Sequence, residues 1–322
     1  MNLAPTSATD LSVLLSEAYA TRMPVASVDL RALNAVVEHT AEDMTATVQA
    51  GVPLALFQAV LARRGQWLPI DPPNPDTTTI GELLAENLSG PRRFGCGTIR
   101  ESLIGLQVVL ADGRVIRGGG KVVKNVAGYD LCKLFVASRG ALGVIVEATF
   151  KLSPLPELEA FAQGAVATPA ELAARLQAVL ESDLSPVVLD AHNLDLTPFD
   201  GPAVRAAKSL TLVLGFAGAR EDVVGQMARA EEMGFREPGN LEHARRFWAP
   251  GGGLVKRWSV LPSRLEDGIT KLGGAPFVAR AGNGLLCFRD GPEVPQPELP
   301  LDLMRRLKRE FDPHEILPAF LP

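Results

Sequence analysis

Residues 88–154 read LSGPRRFGCGTIRESLIGLQVVLADGRVIRGGGKVVKNVAGYDLCKLFVASRGALGVIVEATFKLSP, and the order of signals in this stretch decides the fold. LQVVLADGRVIRGG, residues 106–119, is a pair of Val/Ile-bearing runs around Asp112-Gly113, a dipeptide that accepts the left-handed backbone of a tight hairpin. The next strand signal is GVIVEATFKL at 143–152, after a helix-like AGYDLCKLFVAS at 127–138. Strands joined by a two-residue turn are antiparallel, whereas a doubly wound parallel sheet needs sustained alternation of strand and crossover helix. The stretch therefore predicts an α+β fold. GGGK at Gly118–Lys121 follows a hairpin strand and lacks the GxGxxG spacing, so it signals neither a Rossmann turn nor a P-loop.

Outward from this stretch, TDLSVLLSEAYATR places Leu11, Leu14, Leu15 and Ala18 on one helical face, with Thr9 or Asp10 as N-cap. VVEHTAEDMTATVQAG, residues 36–51, predicts two strands joined through residues 39–43. Leu54, Phe57, Val60 and Leu61 form a second helical face, stopped by Gly65. Residues 71–105, rich in proline and glycine, read as a rigid ligand-facing connection rather than a core element. Pro154 and Pro156 mark a boundary, which divides the chain into 1–156 and 157–322. Past it, helices are predicted over 167–183, capped by Thr168, and over 219–235, with a strand at 208–218. A basic helix near the end breaks at Asp312-Pro313.

At 322 residues the chain exceeds one ordinary domain, and two separate cores are expected. Its net charge is 32 − 37 = −5 with no basic run, which excludes a nucleic-acid-binding footprint. Cys96, Cys132 and Cys287 are too far apart for a CxxC clamp, and no metal site is expected. The first residues lack a basic segment before an apolar block, and no apolar stretch reaches the roughly 18 residues of a membrane span. The expected location is the cytoplasm, or the inner membrane periphery through partners.

Several separated motifs carry a resemblance: EHTAEDMTATVQAGVPL at 38–54, LARRGQWLPIDPP at 61–73, the whole of 88–154, VARAGNGLL at 278–286 and LKREFDP at 307–313. In order and spacing the chain resembles the FAD-binding subunits of bacterial glycolate oxidases, within the vanillyl-alcohol oxidase superfamily. The resemblance implies a PCMH-type FAD-binding domain of two sub-sheets with helices over 1–156, and a smaller α+β cap lobe over 157–322. It implies FAD as cofactor and a small 2-hydroxy acid such as glycolate as substrate, oxidised to the 2-oxo acid. It further implies a complex with a larger flavoprotein subunit and an iron–sulfur subunit; three cysteines are too few for a four-thiolate cluster here. The alternative is a non-catalytic interaction subunit that kept the fold without tight FAD binding.

Residue by residue, the resemblance puts Asn87, Leu88, Ser89 and Gly90 beside the flavin and pyrophosphate. It puts Gly97, Thr98, Glu101 and Ser102 along the pyrophosphate and ribitol, Gly128 and Tyr129 near the isoalloxazine, and Gly140, Gly143, Val144 and Ile145 against the adenosine half. Clustered glycines suit such a ligand because backbone N–H groups approach it unobstructed. Two departures predict weak binding by the isolated chain. The family's glycine-rich pyrophosphate loop is absent between TRMPVA and SVDL, and Glu82 puts a carboxylate where the family has glycine.

For a base, His39, His192, His243 and His314 are the histidines available. His39 and His314 read as surface or capping residues. His243, beside Arg245, Arg246 and Trp248, is a catalytic candidate or a packed core residue, and Tyr129 either touches the flavin or fills a core. Arg92 and Arg93 bind an anion or form a solvated pair. Lys121 and Lys124 neutralise phosphate or edge a strand, and Trp248 and Trp258 read as packing anchors.

Overall fold

The computed structural model describes residues 1–120, 131–197, 204–249, 254–295 and 298–320. The chain forms two compact units whose segments interleave. Met1–Ser89, Thr98–Leu155 and Glu298–Pro322 make the first, and Gly90–Gly97 with Pro156–Pro297 make the second.

The first unit is built on a five-stranded sheet in the spatial order Val36–Thr40, Thr45–Gln49, Val144–Lys151, Leu103–Val109, Val115–Gly119, with every neighbouring pair antiparallel. The hairpin at Asp112-Gly113 is present. Gly113 has φ +83°, and a Cβ there would meet Ser12 O at 2.5 Å, so glycine serves both the turn and the helix packed on it. Phe57, Leu61, Phe135, Ile145 and Phe150 belong to one core. Leu11, Leu15 and Ala18 form another with Val109, Val144, Val146 and Leu317. Two small sheets are added, Asn2–Leu3 parallel to Ser27–Val28 and Gln66–Trp67 antiparallel to Ser153–Pro154.

The first helix, Ala8–Thr21, begins earlier than expected, with Ser7 rather than Thr9 or Asp10 as N-cap. Ser7 Oγ accepts from Asp10 N at 3.0 Å while the Asp10 carboxylate reaches back to Thr6 N at 2.8 Å. Residues 71–105 are more than a connection: they hold the short helices Ile80–Ala85, Arg93–Cys96 and Ile99–Ser102. Each is too short to show apolar periodicity. Capping boxes, Thr79 with Glu82 and Thr98 with Glu101, fix two of them.

The second unit is a seven-stranded sheet in the order Glu237–Pro238, Leu158–Val166, Ala206–Gly218, Val188–Leu194, Phe277–Arg280, Leu285–Phe288, Lys256–Ser259, antiparallel throughout. Helices Pro169–Glu181, Arg220–Glu232 and Leu265–Lys271 bury Leu172, Leu176, Val223, Ala230, Leu265 and Ile269 in its main core. Thr168 caps the first of them, as expected, accepting from Glu171 N.

The terminal helix, Leu301–Phe311, belongs to the first unit, whereas the sequence reading placed it with residues 157–322. The reason is a buried charge. Lys308 turns inward and its Nζ donates to Asp312 Oδ2 at 2.7 Å, Ala141 O at 2.9 Å, and Leu317 O and Pro318 O at 3.0 Å each. Leu307, Phe311 and Phe320 pack on the same unit's core. Among the described residues no helix is long and apolar enough to cross a membrane.

Candidate cofactor site

A cleft of about 660 Å³ opens within the first unit. One wall is Val25 and Ser27–Arg31, where the chain leaves the first helix; another is Thr77, Thr79, Gly81 and Glu82 at the start of the Ile80–Ala85 helix; Ser138–Gly140 and Gly143–Ile145 complete it with Leu317 and Pro318. The walls are held from behind. Gly51 lets residues 30–33 lie flat, since a Cβ there would fall 1.9 Å from Leu30 O. Lys308 ties Ala141 to Leu317 and Pro318, so a single ammonium braces two sides.

Four charged groups line the cleft, and each has an internal partner. Asp29 accepts from Arg31 N at 3.0 Å and from Arg31 Nε at 2.9 Å. That arginine holds the Asp29 carboxyl down at about 2, and Asp29 in turn raises Arg31. Glu82 is committed to its capping box, accepting from Thr79 N at 2.9 Å. Arg139 pairs with Glu86 at 3.1 Å. Ser138 is different: it is 4% exposed, and its hydroxyl has no hydrogen-bond partner among the described residues. A buried hydroxyl without a partner is costly, and one on a cleft wall marks where a ligand's acceptor belongs. Ala137 and Arg139 beside it are both left-handed, at φ +65° and +52°, and so is Gly140 at +76°. Such backbone persists where the surroundings impose it, commonly at ligand clamps.

Residues 15–119 match the family model described as FAD binding domain. This segment is an FAD binding domain. A 126-residue stretch is 48% identical to glycolate oxidase subunit GlcD of Bacillus subtilis (strain 168), covering 39% of this chain and 27% of that protein. A 131-residue stretch is 38% identical to glycolate oxidase subunit GlcE of Escherichia coli (strain K12), covering 40% of this chain and 37% of that protein. Over 118 residues the chain is 41% identical to D-lactate dehydrogenase of Archaeoglobus fulgidus, covering 37% of this chain and 26% of that protein. The match thus spans well under half the length of these curated relatives. Among solved structures, alkyldihydroxyacetonephosphate synthase superposes with a TM-score of 0.75 at 17% identity, covering 100% of this chain and 77% of that one, which shows the shared fold.

Two features of the cleft suit a large ligand that carries acceptor oxygens. A Cβ at Gly140 would meet nothing within 4 Å, so that backbone borders open space, and the Ser138 hydroxyl beside it lacks an acceptor. Of the residues assigned to FAD by resemblance, the cleft brings together Gly140, Gly143, Val144 and Ile145. Gly143, however, is fixed by packing: a Cβ there would come 2.7 Å from Val108 Cγ1. Asn87, Leu88, Ser89, Gly90, Gly97, Thr98, Glu101 and Ser102 lie outside its lining. Asn87 is left-handed at φ +48° with a buried, unpartnered Oδ1. Thr98 and Glu101 are bonded to each other, with Thr98 N donating to Glu101 Oε2 at 2.6 Å. Gly90 and Gly97 bound the segment grouped with the second unit, and Gly128, Tyr129, Lys121 and Lys124 fall outside the described residues. The sequence reading missed Ser27–Arg31, Thr77, Thr79, Ser138, Arg139, Leu317 and Pro318. The available signal was the Asp-x-Arg of SVDLR and the SRG before Ala141.

The other candidates have internal partners. Arg92 pairs with Glu159 inside the second unit, and Trp258 lies under Lys271. His39 Nε2 is 2.9 Å from Gln66 Oε1, and His314 stacks on Tyr19 with ring centroids 4.1 Å apart. His243, on the helix Glu242–Phe247, is 1% exposed, 2.9 Å from Asp190 Oδ2 and stacked on His192. Arg280 closes the cluster on the same Asp190 oxygen. His243 is thus one arm of a buried polar cluster inside the second unit. His192 Nδ1 accepts from Leu194 N, and burial together with His243 holds this ring down at about 3. Among the described residues no group of three or more His, Cys, Asp or Glu side chains is arranged to hold a metal ion.

Proposed function

We propose that this chain is an FAD-holding subunit of a glycolate oxidase type 2-hydroxy-acid dehydrogenase, working in the cytoplasm or against the inner membrane with a larger flavoprotein subunit and an iron–sulfur subunit. The observation that carries the proposal is the cleft bordered by the orphaned Ser138 hydroxyl and the open Gly140 backbone, inside a unit containing the FAD binding domain. Bound there, FAD supplies a two-electron acceptor. The chain's part is to orient it: Ser138 donates to an anionic oxygen, and Gly140 with Val144 and Ile145 seats the adenosine half. Gly128 and Tyr129 remain assigned to the isoalloxazine by resemblance.

The relatives named glycolate oxidase subunits support the substrate class, and a lactate-like acid is the neighbouring choice, given the D-lactate dehydrogenase match. The base for the hydroxyl proton is assigned to the larger subunit. His39, His314 and His243 each have a polar or stacking partner here, and His192 is buried against His243. A second reading, a subunit that kept the fold without tight FAD, is favoured by the carboxylates of Asp29 and Glu82 on the cleft. Purified chain is titrated with FAD in the visible range, alone and with the larger subunit. A saturable flavin spectral shift, weak for the chain alone, with reduction by glycolate only when the larger subunit is added, is the expected result; no shift under either condition supports the second reading, and reduction by the chain alone refutes the assignment of the base.

A further inference from the structure

The cleft wall that follows the first helix carries a guanidinium, that of Arg31. Resting on the reading that the cleft takes FAD, we propose that Arg31 is the anchor for the cofactor's pyrophosphate and that Asp29 is its built-in competitor. Both side chains line the cleft, on the segment that follows the first helix. Asp29 now occupies the Nε/Nη2 edge of the guanidinium, Oδ1 accepting from Nε at 2.9 Å and Oδ2 from Nη2 at 2.5 Å, the bidentate geometry that a phosphate adopts on arginine. The Arg31 side chain is 81% exposed, so it is free to turn from one acceptor to the other. Glu82 is committed to its capping box and Arg139 is held by Glu86, which leaves Arg31 as the cleft cation whose partner sits two residues away on the same wall.

Binding is then an exchange: the pyrophosphate takes the guanidinium and Asp29 is released toward solvent, keeping its bond to Arg31 N. A backbone loop anchors without any such competition. The arrangement makes affinity depend on the difference between two arginine pairs, and only ligands carrying a pyrophosphate feel it.

Dissociation constants for FAD, ADP, adenosine and riboflavin are measured on the full chain as wild type, Arg31→Gln, Asp29→Asn and Arg114→Gln. Asn keeps the oxygen that accepts from Arg31 N. Arg114 pairs with Asp112 across the same sequence spacing but does not line the cleft, and so serves as the control. Expected are a weakening of FAD and ADP by about tenfold or more in Arg31→Gln, a tightening in Asp29→Asn, and no change for adenosine or riboflavin or in Arg114→Gln. FAD and ADP bound equally by wild type and Arg31→Gln would overturn the anchor while leaving the cofactor reading intact. Wild type binding neither ligand would overturn the cofactor reading and the anchor with it.

Discussion

Replacing Lys308 with Met removes the one cation in the clamp that joins the terminal helix to the cleft. The side chains of Lys308 and Asp312 are 10% and 0% exposed, so solvent does little to screen either charge. Asp312 would keep its bonds from Ile316 N at 3.1 Å and Leu317 N at 2.8 Å, but three carbonyls, of Ala141, Leu317 and Pro318, would lose their donor. A buried carboxylate stripped of its counter-charge costs about 3–5 kcal/mol, a large share of a stability of about 5–15 kcal/mol. The first unit of Lys308→Met should therefore unfold at much lower urea, and FAD should bind more weakly because Leu317 and Pro318 form one side of the cleft. The double variant Lys308→Met/Asp312→Leu, which leaves no stranded charge, should recover part of the loss. Urea denaturation followed by near-ultraviolet circular dichroism, with FAD titration of the folded variants, makes the measurement. A loss below about 1 kcal/mol in the single variant would refute the reasoning.

Gly140→Leu should abolish FAD binding in a folded protein, since its Cβ enters open space and the left-handed backbone adds only about 1–2 kcal/mol of strain; undiminished binding would displace the cofactor from this cleft. Gly143→Val should instead unfold the first unit, because its Cβ meets Val108 and Val109 rather than the cleft. His192 stays neutral in the fold down to about 3, against an ordinary value of 6.5. Its contribution is therefore complete above pH 6.5 and lost as pH falls toward 3, on the order of 4 kcal/mol. His192→Asn should flatten the fall in unfolding midpoint across that window, and an unchanged slope would count against it. Asp190→Asn leaves Arg280 buried without its counter-charge and should destabilise the second unit by about 3–5 kcal/mol in the same urea assay.

What the sequence determined by itself is local or periodic. The Asp112-Gly113 turn specified a hairpin whatever lay around it, because the left-handed backbone it requires is one that Gly113 adopts freely. Leu11, Leu15 and Ala18 declared a helical face through spacing alone. Runs such as 143–152 declared strands through β-branched content, and the glycines at 140 and 143 marked the turn before that strand. Short helices escaped because one turn carries no period, although their capping pairs, Thr79 with Glu82 and Thr98 with Glu101, were legible as text. The cleft itself was decided only by the tertiary structure. Its walls come from residues 25–31, 77–85, 138–145 and 317–318, brought together by sheet pairing between distant strands and by one buried ammonium. LDLMRRLKREF gives no sign of which of its basic residues turns inward, since burial of Lys308 depends on Asp312 and on carbonyls of residue 141 and the tail. The same holds for Glu82 and His243: one caps a helix at the edge of the cleft, and the other found Asp190 fifty-three positions away, a partner that only folding supplies.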